Sequence, residues 1–271
     1  MATGKYLEVD PGIEIYYEDQ GEGTPIIFIT GWTFTTEMFS NQMAHFSSSH
    51  RAIAMDPRSH GRSTVTPHGN NYETQGADLA KLITALDLKE VVLVGWSVGI
   101  LTTLSYVRQY GLDNVKAVVS IDMSPKPLSC NDDDWVEGPF DETAELFTTY
   151  LFTPQGQRDF VTAYATEVMV QRELEEEELT WILEQSLNTP SHLAALYFAA
   201  AMFADYRAEA QLVSKNVPAL YVIAEHWADV AVPYINTLCP ETETAVLGGH
   251  MMFWEHAGKF NARLDEFLAS L

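Results

Sequence analysis

The stretch Gly95-Trp96-Ser97-Val98-Gly99 places a single hydroxyl between two glycines, directly after the apolar run Val91 to Val94 and before a second apolar run of helical character. A strand, elbow and helix in that order lift one side chain above the sheet edge: the glycines admit a tight turn and Ser97 stands at the helix N-terminus. The five-residue pattern alone arises often by chance, so the strand before it and the helix after it carry the signal. A helix start also turns backbone N–H groups outward, and the Val98 amide is placed to meet negative charge on a carbonyl oxygen attacked by Ser97. The chemistry this suggests is nucleophilic acyl transfer.

A serine hydroxyl attacks only when a base takes its proton, so the reading requires a histidine. Of the eight histidines, His250 follows the last strand-like segment in Leu247-Gly248-Gly249-His250. The two glycines let a loop carry its imidazole across the carboxyl ends of the strands, the edge where chemistry is expected. His45, His50, His68, His192 and His256 fall in helical or loop sequence and read as structural. A carboxylate must then fix the imidazole tautomer and stabilise the imidazolium. Asp229, in the segment after the penultimate strand, is the first choice and gives the order serine, acid, histidine. Glu225, nearer that strand's end, competes with it, and Asp122, after the run Ala117 to Ile121, is a further option. The second oxyanion donor is expected just after the run Ile26 to Ile29, where Gly31 lets the backbone approach and the Trp32 amide can face the same oxygen. The Trp32 ring is also a candidate pocket wall.

Positioning these groups takes a sheet. Ile26 to Ile29, Arg51 to Met55, Val91 to Val94 and Ala117 to Ile121 are continuous apolar runs, as expected of strands buried on both faces, and helical patterns such as Tyr72 to Leu86 lie between them. That is βαβ order, hence an α/β fold with a largely parallel sheet. The first segment, residues 7–23, alternates apolar and polar positions about Asp10-Pro11-Gly12 and predicts an antiparallel hairpin at one sheet edge. From Pro125 to about Asn216 the spacing predicts helices only, over 141–152, 154–171, 175–187 and 190–204. Strands return at 217–225 and 242–249, and an amphipathic helix closes the chain. Core segments 1–125 and 212–271 therefore enclose a helical cap, 126–211. Most of the cap's aromatic residues, Phe152, Phe160, Tyr164, Trp181 and Phe198 among them, must pack, and a few are left to line an apolar pocket.

Composition narrows the partner. A formal charge of −23, from 38 acidic and 15 basic side chains, repels nucleic acid and anionic membrane. Runs such as Asp132 to Asp134 and Glu175 to Glu178 read as solvated surface. Cys130 and Cys239 stand in no metal-ligand or disulfide spacing, the N-terminal residues lack the pattern of a signal peptide, and no window is a membrane span. A cytoplasmic protein with reduced thiols is expected.

With these residues in place, the sequence resembles the α/β-hydrolase superfamily and, within it, the haloperoxidase-like serine esterases and lactonases. The likeness runs nearly end to end: the Gly31-Trp32 turn, the segment Asp56 to Ser63 in place of the family's D-x-R-G-x-G-x-S turn, the elbow at Ser97, Asp122 to Pro125 leading into the cap, Asp229 before Pro233, and Gly249-His250. Thr30 stands where many relatives have a histidine, and Ala224 to Asp229 is about two residues longer than the family's usual G-x-x-D. The resemblance implies a mostly parallel eight-stranded sheet flanked by helices, with an inserted helical cap and no metal or organic cofactor. It implies a hydrolase for small to medium apolar or aryl esters, acting through Ser97, His250 and Asp229 with the Trp32 and Val98 amides. Lactones, carbon–carbon bond cleavage and perhydrolysis use the same triad and stay open, as does a non-catalytic small-molecule receptor on the same fold. Serine in place of aspartate at the nucleophile position argues against dehalogenase and epoxide hydrolase activity.

Overall fold

The computed structural model describes residues 4–131, 134–151 and 153–271, so that Asp132, Asp133 and Phe152 of the sequence reading lie outside the described residues. The chain opens with the expected hairpin, β1 (Lys5–Asp10) and β2 (Ile13–Gln20), turned at Pro11-Gly12 with Gly12 at φ +74°. There follow β3 (Pro25–Ile29), α1 (Ser40–Phe46), β4 (Arg51–Met55), α2 (Tyr72–Ala85), β5 (Val91–Trp96), α3 (Gly99–Tyr110) and β6 (Val115–Ile121). The chain then leaves the sheet for α4 (Phe140–Thr149), α5 (Pro154–Tyr164), α6 (Glu176–Leu187), α7 (Ser191–Met202) and α8 (Arg207–Asn216). It returns as β7 (Ala219–Ile223), α9 (Ala228–Leu238), β8 (Glu243–Val246), α10 (Met252–Glu255) and α11 (Ala257–Ala269).

The eight strands form one sheet in the order β1-β2-β4-β3-β5-β6-β7-β8, antiparallel where β2 meets β1 and β4 and parallel elsewhere. Every residue of β3, β5 and β7 is buried, which is why their sequences are unbroken apolar runs. Alternate side chains feed two cores. Ile27 and Leu93 pack on one face with Leu79 of α2 and Leu104 of α3, and Phe28 and Val94 pack on the other with Phe46 of α1 and Phe267 of α11.

The helical insertion departs from the expected elements at two places. The stretch 154–171 is not one helix: α5 starts cleanly, with the Thr153 side chain accepting from the Gly156 N–H and Pro154 in the first turn, but it ends in a π turn over Ala165–Met169. Backbone carbonyls of that turn are thereby spent elsewhere, on the loop carrying His250. The expected boundary between residues 211 and 212 falls inside α8, which lies along α3 of the sheet domain, with Arg108 paired to Glu209 at 2.8 Å. Among the described residues no helix is long and apolar enough to cross a membrane.

Candidate active site

Ser97 sits between the end of β5 and the start of α3, and its N–H donates to the Ile121 carbonyl at 2.8 Å, extending the β5–β6 pairing by one step. Its φ is +52°, so the left-handed strain of the elbow falls on the serine itself, at a cost of about 1–3 kcal/mol. The flanking glycines serve a different purpose from the free turning expected of them. A Cβ on Gly95 would lie 2.6 Å from the Ile100 amide nitrogen, and one on Gly99 would collide with the backbone carbonyl oxygens of Ile29 and Thr30. They let α3 press directly onto β5 and β3.

His250 is held from three sides in the loop after β8. Its carbonyl accepts from Trp96 Nε1 at 2.9 Å, its N–H donates to the Val168 carbonyl at 3.2 Å, and the next amide, of Met251, donates to the Met169 carbonyl at 2.7 Å. A Cβ on Gly249 would meet that Met169 carbonyl at 2.8 Å, so the glycine is needed for this close approach. The second residue of the elbow, Trp96, thus anchors the histidine loop as well as packing in the core, and the π turn of the insertion clamps the same loop. The Tyr164 ring stands edge-on to the imidazole with centroids 5.5 Å apart.

The carboxylate that meets the imidazole is Asp122, with Oδ2 2.7 Å from His250 Nδ1. Its other oxygen accepts from the Ala224 N–H at 2.7 Å, and the side chain is fully buried. Asp122 directly follows β6 with φ +51°, beside the strand that carries Ser97. This corrects the expected assignment to Asp229. Residues Glu225–Trp227 coil into a 3-10 turn straight after β7 and run on into α9, so no loop brings Asp229 back to the strand ends. Asp229 is exposed in the first turn of α9, beside a separate hollow lined by Asp134, Arg207 and Tyr234. Glu225 is also exposed, and its carboxylate accepts from Gln171 Nε2 at 2.8 Å.

Ser97 and His250 open onto one cavity of about 520 Å³, walled by Trp32, Phe160, Tyr164, Phe198 and Met202. Val98 lines it too, at the N-terminus of α3, where the first amides have no partner within the helix. A Cβ on Gly31 would lie 3.1 Å from that of Ser97, so the turn bearing Trp32 passes close over the Ser97 side chain. Thr30 secures this turn through its hydroxyl, which donates to the Phe34 carbonyl at 3.1 Å. The Trp32 indole donates to the Ala194 carbonyl of α7 at 2.8 Å, tying the insertion to the cavity wall.

One lining residue went unnoticed in the sequence. Glu137, in the segment between β6 and α4, carries a buried carboxyl whose Oε1 has no hydrogen-bond partner among the described residues. Burial pushes its pKa up to about 7, opposed by His250 and by a hydrogen bond from the Ser124 backbone, and reinforced by Asp122. Burial likewise raises the Tyr164 phenol well above its ordinary range. Nothing in the residues around Glu137 repeats or matches a motif, so only its placement reveals it. Asp56 accepts from the amides of Thr36 at 2.6 Å and Arg62 at 2.9 Å, and Arg58 pairs with Asp78 at 2.7 Å. Among the described residues no group of three or more His, Cys, Asp or Glu is gathered as metal ligands.

Comparison with known proteins places this architecture. A family model described as the alpha/beta hydrolase fold matches residues 24–257, and the chain belongs to that family. Over 147 residues it is 33% identical to the non-heme chloroperoxidase CPO-A1 of Kitasatospora aureofaciens, a match that spans 54% of this chain and only about half (53%) of that relative. It is 30% identical over 155 residues to the bifunctional esterase/perhydrolase DCH of Acinetobacter calcoaceticus, covering 56% of each chain. A 25% match over 278 residues to the AB hydrolase superfamily protein YisY of Bacillus subtilis covers 97% of this chain and 98% of the relative. The crystal structure of bromoperoxidase from Bacillus anthracis superposes with a TM-score of 0.88 at 23% identity, over 98% of this chain and 100% of that one, a likeness of fold. Several of the curated relatives it is similar to are named non-heme chloroperoxidases.

Proposed function

We propose that the protein is a serine hydrolase that cleaves carboxylic esters through an acyl-enzyme, with Ser97 as nucleophile, His250 as base and Asp122 as the acid that orients it. The observation that carries this reading is the 2.7 Å contact between Asp122 Oδ2 and His250 Nδ1, beside the cavity that Ser97 shares with His250. With Nδ1–H held by the carboxylate, Nε2 is the free base of the neutral imidazole. Ser97 Oγ attacks the ester carbonyl as Nε2 takes its proton, and the oxyanion is received by the Val98 and Trp32 amides. Collapse expels the alcohol, which takes the proton back from His250. Water, deprotonated by the same nitrogen, then attacks the acyl-serine and releases the acid.

The helices from Phe140 to Met202 act in this reading as a cap whose aromatic side chains select the substrate. Apolar walls favour small to medium alkyl or aryl esters, and a lactone presents the same carbonyl to Ser97. The free thiols of Cys130 and Cys239 support a reducing, cytoplasmic setting. Ser97→Ala is expected to abolish turnover of p-nitrophenyl butyrate and labelling by a fluorophosphonate probe while the circular dichroism spectrum is unchanged. Turnover that survives the substitution overturns the assignment.

A further inference from the structure

Tyr164, the last residue of α5, brings to the cavity a hydroxyl that no group of the chain answers. It lines the wall with Ser97 and His250, and its oxygen makes no hydrogen bond among the described residues. The side chain is half-buried, and the hydroxyl is not one of the polar atoms closed off from solvent, as Glu137 Oε1 is, so a molecule in the cavity can reach it. The ring is held in place from two sides. It stacks on Phe160, one turn earlier in α5, with centroids 5.7 Å apart and planes at 19°, and it stands edge-on to the His250 imidazole at 5.5 Å. Phe160 is itself wedged edge-on against Trp32 at 5.6 Å and Phe198 at 6.3 Å. Phenylalanine would pack equally well at this position, so packing does not account for the hydroxyl. Burial holds the phenol well above its ordinary range, with Glu137 and Asp122 adding to the effect, so it keeps its proton and is a donor.

What the hydroxyl receives follows from its neighbours. The Trp32 and Trp96 indoles, the nearby donors of the wall, are already engaged with the Ala194 and His250 carbonyls. The described lining includes no Lys or Arg, and Glu142 and Glu145 of α4 are exposed within it, so an anion is disfavoured. An alkyl group laid against the hydroxyl strips its water and leaves it unpaired, whereas an uncharged oxygen takes the water's place. The contact with His250 fixes which part of the substrate this is. In the hydrolytic cycle the Trp32 amide faces the carbonyl oxygen and His250 returns a proton to the leaving alcohol, so a side chain packed on the imidazole lies along the alcohol part. We propose that Tyr164 is a specificity-determining residue whose hydroxyl donates a hydrogen bond to an uncharged oxygen, of an ether, carbonyl or hydroxyl group, in the alcohol part of the substrate. The inference rests on the serine hydrolase reading of this cavity and narrows its ester class to esters of oxygen-bearing alcohols.

The test uses three esters of equal length: n-butyl butyrate, 2-methoxyethyl butyrate, with an oxygen in place of one methylene of the alcohol, and n-butyl methoxyacetate, with that oxygen in the acyl part. Dissociation constants of the intact esters are measured by calorimetry on the Ser97→Ala protein with and without Tyr164→Phe. Values of kcat/KM are measured by titration of released acid on the wild type and on Tyr164→Phe alone. Each ester is compared with itself in the two proteins, which cancels the different reactivities of the alcohols. Tyr164→Phe keeps the ring against Phe160 and His250 and should leave Tm unchanged. It is expected to weaken 2-methoxyethyl butyrate about three- to tenfold relative to n-butyl butyrate in both measurements. The methoxyacetate should stay close to n-butyl butyrate. The proposal is overturned if Tyr164→Phe changes all three esters by the same factor, as a packing role predicts, or if the methoxyacetate loses more than the methoxyethyl ester. Failure of the hydrolase reading shows separately, as wild-type protein that neither turns over p-nitrophenyl esters nor takes up the fluorophosphonate, and the binding measurement then still decides the place of Tyr164.

Discussion

Asp122 and Ser97 share an uncommon backbone state, each a non-glycine residue with φ near +50°, directly after adjacent parallel strands. Turning the chain sharply at that point aims a side chain across the strand ends instead of along them, and in the proposed mechanism the strain is borne where the chemistry needs the aim. The carboxylate is then locked by the Ala224 amide on one oxygen and by His250 on the other. Asp122→Asn keeps the shape but offers an amide where the imidazole needs an acceptor, favouring the wrong tautomer. It is expected to lower kcat for p-nitrophenyl butyrate about 10³- to 10⁴-fold. Asp229→Asn, remote from the cavity, should change kcat less than twofold. Steady-state kinetics of the two variants decide between the carboxylates, since the reverse pattern restores Asp229 as the acid.

At the scale of elements, the elbow works because β5, β3 and α3 meet with no side chain between them. Gly99 lies against the carbonyls of Ile29 and Thr30, and neither backbone can give way without moving the strand that leads to Gly31 and Trp32. Gly99→Ala is expected to destabilise the fold by about 3 kcal/mol through overpacking. Calorimetry should register a fall in Tm of roughly 6–12 °C, and an unshifted Tm would contradict the close approach. The π turn after α5 matters for the same reason. It frees the Val168 and Met169 carbonyls for the amides of His250 and Met251, so the insertion both lines the cavity and fixes the loop that carries His250. Hydrophobic spacing announces a helix over this stretch, but it cannot announce where the helix gives up its ladder to pair with a loop about eighty residues away in the chain.

For the whole molecule, buried ionisable groups set opposing pH dependences. Burial holds the His60 imidazole down to about 4, so the unfolded chain binds the extra proton and this contribution is lost as pH falls from about 6.5 to 4. Glu137, raised from the ordinary glutamate range to about 7, acts the other way: the folded state holds the extra proton, and stability falls as pH rises from about 4.5 to 7. Asp56, raised to about 6, has the same sign. Glu137→Gln removes the penalty of ionisation, so its Tm is expected to exceed that of the wild type by a few degrees at pH 8 and to match it at pH 4.5 in calorimetry. An equal difference at both pH values would mean that Glu137 does not titrate in that window.

The sequence by itself determined the sheet, the elbow and the histidine. Those signals are local: an apolar run such as Val91 to Val94 has the pattern of a doubly buried strand, Ser97 lies two residues from a glycine on either side, and His250 follows two glycines after the last strand. The tertiary structure alone decided which carboxylate faces His250, because Asp122, Glu225 and Asp229 all follow strands that end at the same sheet edge. What separates them is the turn each strand makes next, a left-handed residue after β6 against a 3-10 turn and helix after β7. It alone revealed Glu137 as well, since burial is a property of what surrounds a carboxyl and leaves no mark on its neighbours in the chain.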